Sequence, residues 1–163
     1  MASDVVYTAI KNYLIGAWSN CPIAWENEDF VRPEPPGPWI LFEITGTMYA
    51  QQSIGDSPQS ANRWDEEGVM WLHVFVPKGT GSVLARNYAK GLADLFRGAW
   101  LINSLEFLGA SIGEGTPADD MAVYWRVSVS IEWRHWDAAI GATTFDDLLS
   151  EDDGNPITVE PGP

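Results

Sequence analysis

What the sequence has little of narrows the field first. A single cysteine, Cys21, stands among 163 residues, which excludes an intrachain disulfide and any zinc site built on paired thiolates. Nine Lys and Arg face 23 Asp and Glu, for a net charge of −14. A protein that grips phosphates needs the opposite sign, so nucleic-acid affinity is not expected. No apolar run reaches the roughly 18 residues that a membrane helix requires. The N-terminus carries Asp4 and no basic leader, which reads against a secretory signal. Apolar residues are not scarce: a hydrophobic fraction of 45% with 20% charged residues is ordinary for a folded domain and excludes global disorder. These features describe a soluble, acidic chain of a reducing compartment, long enough for one domain with its own core. Its one surplus is tryptophan, of which there are nine.

The acidic charge is uneven. Residues 1–136 hold 16 acidic and all 9 basic residues, whereas residues 137–163 hold 7 acids and no base. The second stretch also collects Gly154, Pro156, Pro161, Gly162 and Pro163. The pattern predicts a domain over 1–136 followed by an acidic, extended tail over 137–163. Phe145, Leu148 and Leu149 are the only anchors in that tail, spaced as one helical turn.

Periodicity places the elements. Val6, Ile10, Tyr13, Leu14 and Ala17 recur at helical steps, so a helix is expected from Ser3, its cap, to Ser19. Pro22 stops it, and the proline-rich stretch to Pro38 should run extended rather than pair as a central strand. Three alternating segments follow. Ile40, Phe42, Ile44 and Met48 share one face, as do Met70, Leu72, Val74 and Val76; the third set is Val123, Trp125, Val127, Val129, Ile131 and Trp133. A weaker strand is expected over Leu105–Ile112, with a loop around Gly113, Gly115 and Pro117. A second helix from Ser82 to Arg97 carries Ala85, Tyr88, Ala89, Leu92, Leu95 and Phe96 on one stripe, and Gly98 stops it. The predicted fold is α+β: an antiparallel sheet of about four strands with two helices packed on one face. Tyr49–Asp65 reads as a 17-residue connection, long enough to be functional.

Motifs for chemistry fail one by one. Gly79-Thr80-Gly81 sits between a strand and a helix, but the third position of a dinucleotide fingerprint falls on Leu84. Aligning Gly154 with the glycine of a calcium loop puts Leu149 at the first ligand position, and Pro161 forbids the exit helix. Asp119/Asp120 and Glu66/Glu67 are adjacent pairs, whose members point to opposite faces of a strand. His73 and His135 lie in alternating strands, and no serine or cysteine occupies a nucleophile elbow. No catalytic, cofactor or metal residue is therefore assigned. The aromatics say more, because Trp and Tyr in such number exceed what one core of this size takes in and favour protein contacts. Trp25, Phe30, Trp39, Tyr49, Trp64, Trp71 and Phe75 are the candidate residues for contacts with other protein subunits.

Three blocks then resemble the phage tail terminator-like family. The first is Ile23-Ala24-Trp25-Glu26-Asn27 with Phe30, Pro33, Pro36 and Trp39 entering a strand. The second runs from Val74 through Phe75, Val76, Pro77, Lys78, Gly79, Thr80 and Gly81 into a helix with Ala85, Ala89, Leu92, Asp94 and Phe96. The third is the closing strand Trp125–Trp133, and the whole spans roughly Val5 to Trp136. The resemblance implies a structural virion protein, not an enzyme, in the neck region of a tail assembled in the host cytoplasm. It implies a homohexameric ring on the head-proximal end of the tail tube that ends polymerisation and offers a surface for head–tail joining. The implied partners are further copies of the chain, the tail tube protein and a connector or stopper, with no membrane. Genomic DNA would pass through without specific binding, and six copies at −14 each would repel its phosphates. The rival readings are another neck protein, such as a stopper or tail-completion factor, and, from other classes, a small acidic enzyme or a DNA mimic.

Overall fold

The computed structural model describes residues 2–55, 61–118 and 123–137. Helix α1 covers Asp4–Ala17, and the Ser3 side chain accepts from the Val6 N–H at its start, the expected cap. Val6, Ile10 and Leu14 are fully buried, each contributing about 1.5–3 kcal/mol of apolar burial. Helix α2 covers Val83–Phe96 and buries Ala85, Ala89, Leu92 and Phe96. Gly98, just past its end, takes a φ of +67°, the left-handed value a helix stop requires.

The strands are β1 Ile23–Ala24, β2 Trp39–Gln51, β3 Trp64–Pro77, β4 Trp100–Leu101, β5 Leu105–Pro117 and β6 Tyr124–Asp137. They form one sheet of six strands in the order β1-β2-β3-β6-β5-β4. This corrects the expected antiparallel sheet of about four strands. The sheet is mixed and curls into a half-barrel, with β1 parallel to β2 and every other pair antiparallel. The two strands missing from the sequence reading are two residues long each, too short for any alternation to register. β1 joins because the Ile40 N–H donates to the Pro22 carbonyl at 3.0 Å and its own two residues align with Ile40 and Leu41. The unit β3–α2–β5 is a crossover that leaves a slot, and β6 fills it.

Both helices share a single core with one face of the sheet. Ile40, Phe42, Met70, Leu72, Val74 and Val76 meet Val127, Val129, Ile131 and Trp133 there, all essentially buried. A smaller cluster of Ala24, Trp39, Phe75, Ala118 and Tyr124 forms apart from it, with Phe30 and Leu41 packed against it. Tyr124, not Val123, opens β6 as a buried residue; Val123 is 53% exposed.

Two further boundaries move. The Tyr49–Asp65 connection is shorter than read, because β2 runs to Gln51 and β3 starts at Trp64. The ladder continues through Tyr49↔Glu66 and Gln51↔Trp64 after a register shift between Gly46 and Met48. The extra residue of a bulge breaks the alternation that a sequence reading follows, and it leaves Met48 partly exposed. β5 likewise continues to Pro117 through two register shifts. A Cβ on Gly115 would stand 1.8 Å from the Trp125 ring, so a glycine expected to mark a loop instead makes room for an indole. The acidic stretch from residue 138 onward lies outside the described residues, as do Asp119 and Asp120.

Candidate assembly interface

The predicted contact residues divide into two groups. Trp39 and Phe75 are each 3% exposed. They face one another across the β2–β3 ladder and stack at 4.1 Å between ring centroids, 6° from parallel. Phe30 lies 5.2 Å from Trp39, and Tyr124 meets both stacked rings edge-on. Trp25 packs 5.3 Å from Phe42 and carries the Lys11 ammonium over its ring at 5.2 Å. That ammonium also pairs with Glu28, which raises the Lys11 pKa. These four aromatics are spent largely inside the subunit and fix the shape of the β1–β2 end.

The second group faces outward. Tyr49 is 60% exposed and stacks on Trp64 at 5.3 Å. Its hydroxyl donates to Asp137 Oδ2 at 3.3 Å. Loss of water contact and the nearby Asp137 charge push the Tyr49 pKa up. Trp71 lies half-buried in mid-β3, opposite Glu43 on one side and Ser130 on the other. The structure adds a pair that was not among the candidate contacts: Trp100, 54% exposed, meets Trp136 at 5.1 Å. Arg63 lies over the Trp136 ring at 5.2 Å while its guanidinium grips Asp65 at 2.6 and 2.8 Å. One end of the sheet thus presents two aromatic pairs, Tyr49–Trp64 and Trp100–Trp136, and the register places Trp64 and Trp136 on opposite faces.

Beside the Trp39–Phe75 aromatic cluster, the sheet face away from the helices carries polar cross-braces. His73 Nδ1 lies 2.6 Å from Ser128 Oγ, and its Nε2 lies 2.7 Å from Glu43 Oε2. A serine, a histidine and a carboxylate in a row invite comparison with a hydrolase triad. Ser128, however, lies within a regular strand in register with His73, not on the strained turn that lifts a nucleophile out of its sheet. What the row does is tie three strands together. Arg134 adds a second brace, with Nε 2.6 Å from Glu67 Oε1 and Nη1 3.8 Å from Glu106; the bond to Glu67 raises its pKa.

A third polar cluster anchors α1. Glu66 is 5% exposed, and its Oε1 accepts from the Ser3 backbone N–H at 2.6 Å, while His135 Nδ1 lies 3.8 Å from Oε2. A carboxylate at a helix N-terminus offsets the partial positive charge there. Gly79 and Gly81 take φ of +86° and +83° in the turn before α2, closed by Thr80 Oγ1 donating to the Pro77 carbonyl at 2.7 Å. Among the described residues no three His, Cys, Asp or Glu are grouped to hold a metal, and no helix is long and apolar enough to cross a membrane.

The two ends of the sheet are unlike. β1 covers only Ile40 and Leu41 of β2, and Glu26 Oε1 accepts from the Ile44 N–H at 2.8 Å just beyond. β4 covers only Leu105 and Glu106 of β5, and every residue from Leu108 to Glu114 is exposed. Two long strands therefore bound the sheet, each shielded by a partner of only two residues. Exposed strand edges are templates for pairing with another chain.

Comparison with known proteins bears on what these surfaces meet. The profile of a family described as "Phage tail terminator protein" matches residues 5–133. A solved structure is similar over 83% of this chain and 96% of its own, with a TM-score of 0.61 and 23% identity; that likeness bears on the fold alone. No curated protein matches the chain.

Proposed function

The chain belongs to the phage tail terminator family, and from that premise we propose that it forms a homohexameric ring on the head-proximal end of the tail tube. In this reading the ring ends tube polymerisation and presents the surface on which a connector or stopper joins the filled head. The family accounts for a structural role in the tail; the ring, its copy number and its place in the neck are this proposal. The observation that supports it is the pair of unlike sheet edges. A closed ring uses a heterologous interface, in which one patch meets a different patch on the next subunit. The β2 and β5 ends supply two such patches at opposite limits of the strand order.

The candidate aromatics then divide the work. Tyr49, Trp64 and Trp71 contact a neighbour or the tube end. Trp25, Phe30, Trp39 and Phe75 hold the β1–β2 end in shape behind them. Aromatic side chains contribute large contact area with few rotors to freeze. The net charge of −14 keeps passing DNA from adhering to the ring.

The test uses purified protein and polymerising tail tube protein. Substoichiometric addition is expected to shorten the tubes and leave one end unable to elongate. The Tyr49→Ala, Trp64→Ala double variant, still folded, is expected to lose that effect. Tubes that grow to the same lengths with and without the protein would overturn the proposal.

A further inference from the structure

A cleft of about 320 Å³ lies between the C-terminal half of α2 and the outer edge of β5. Phe96, Phe107, Ala110 and Ile131 line it, flanked by Leu108 and Ile112. Leu108 is 52% and Ile112 37% exposed, so apolar surface stands open here. No strand among the described residues covers the β5 edge beside it, since β4 reaches only Glu106.

The rim has an unusual charge for this chain. The charged residues that line the cleft are Lys90 and Arg97 against the single acid Asp94, in a protein with a net charge of −14. Lys90 and Arg97 both pair with that one carboxylate, which leaves the rim net positive. An apolar cleft with a cationic rim fits an acidic peptide carrying a few large apolar side chains.

The chain itself contains such a segment. Phe145, Leu148 and Leu149 recur at helical steps, and Asp146, Asp147 and Glu151 alternate with them. No lysine or arginine occurs after Arg134. The reach is sufficient. β6 ends at Asp137, six residues past Ile131 on the cleft wall, or about 20 Å along a strand. The eight residue-to-residue steps from Asp137 to Phe145 span up to about 27 Å when extended.

We propose that the segment Phe145–Leu149 of this chain seats in the cleft of its own subunit, its apolar side chains against Phe107, Leu108 and Ile112 and its acids toward Lys90 and Arg97. The segment shields the β5 edge in the free subunit, where an open edge invites unwanted pairing. The seating does not depend on ring formation.

The test uses the full chain in a Cys21→Ser background with Ala93→Cys and Leu148→Cys, oxidised at high dilution. A disulfide requires Cα atoms within about 7 Å, so a monomer closed by this bond is the expected product. A control pair, Ala93→Cys with Thr158→Cys, is expected to close more slowly. A cross-linked dimer at the same dilution would overturn the proposal by placing another copy's segment in the cleft. Absence of any cross-link would overturn it as well. Hydrogen exchange supplies an independent readout in full-length protein with Cys21 intact. Replacing Phe145, Leu148 and Leu149 with alanine leaves the described domain untouched. It is expected to speed exchange of the Leu108–Ile112 amides by about tenfold. Exchange in this stretch that is unchanged by the triple substitution would count against the seating.

Discussion

Gly68 gives the sharpest test of the packing. It is buried in β3, opposite Gly46 on one side and Trp133 on the other. A Cβ there would lie 2.0 Å from the Thr45 carbonyl oxygen and 2.4 Å from the Trp133 ring. The carbonyl belongs to the paired β2 backbone, and Trp133 is 1% exposed in the centre of the core. Neither neighbour can withdraw without loss elsewhere. Overpacking a core by a methyl costs about 1–3 kcal/mol, and a backbone obstacle puts Gly68→Ala at the upper end, about 3 kcal/mol. For a domain of this size that lowers the melting temperature by about 6–12 °C. Two controls calibrate the measurement. Gly16, within α1, has nothing within 4 Å of a built Cβ, so Gly16→Ala should stabilise by about 0.5–1 kcal/mol. Gly115→Ala meets a half-buried Trp125 ring rather than backbone, so its loss should be smaller than that of Gly68→Ala. Thermal and urea unfolding of the free subunit decide the matter. If Gly68→Ala melts within about 2 °C of the parent protein, the close approach of β2, β3 and Trp133 is wrong.

Other outcomes follow from individual contacts. Glu66→Ala strips the buried acceptor from the Ser3 N–H and should cost about 1–3 kcal/mol in urea unfolding, with Glu66→Gln losing less; no change would mean that α1 is not anchored there. Burial raises the pKa of the Cys21 thiol, so at pH 8 iodoacetamide should label native protein more slowly than unfolded protein. Equal rates would contradict that burial. The Tyr49 pKa is also raised, so the folded state favours its neutral form. Its contribution to stability is present below the ordinary phenol pKa and fades as pH rises through the folded one. Ultraviolet titration of Tyr49→Phe should accordingly remove a phenol that ionises above the ordinary value, and loss of one with an ordinary pKa would contradict the environment described.

How much of this was legible depended on the neighbours of each strand. β3 lies between β2 and β6 along nearly its whole length, so Met70, Leu72, Val74 and Val76 alternate without a break. β5 has one full neighbour, two bulges and a run of exposed residues, and its period fades accordingly. β1 and β4 pair through two residues each, which no pattern can reveal. Both helices were visible because an apolar stripe over four turns is a strong signal. At the candidate interface, Tyr49 and Trp64 stood out as aromatics in a polar stretch. Trp39 and Phe75 looked equally suited to outside contact, and only the three-dimensional arrangement shows them stacked on each other. Trp100 and Trp136 went unpaired in the sequence because 36 positions separate them. The β4–β5 hairpin and the end of β6 bring them together.

The central claim, a ring that closes the tail tube, is tested most directly by averaged electron micrographs of tails made with and without this protein. With it, the tails are expected to have uniform length and a six-fold ring of density at the head-proximal end that accommodates the curled sheet. Without it, tubes of irregular length lacking that ring are expected. A single copy or a trimer at that position would contradict the account, and so would uniform tails in the protein's absence.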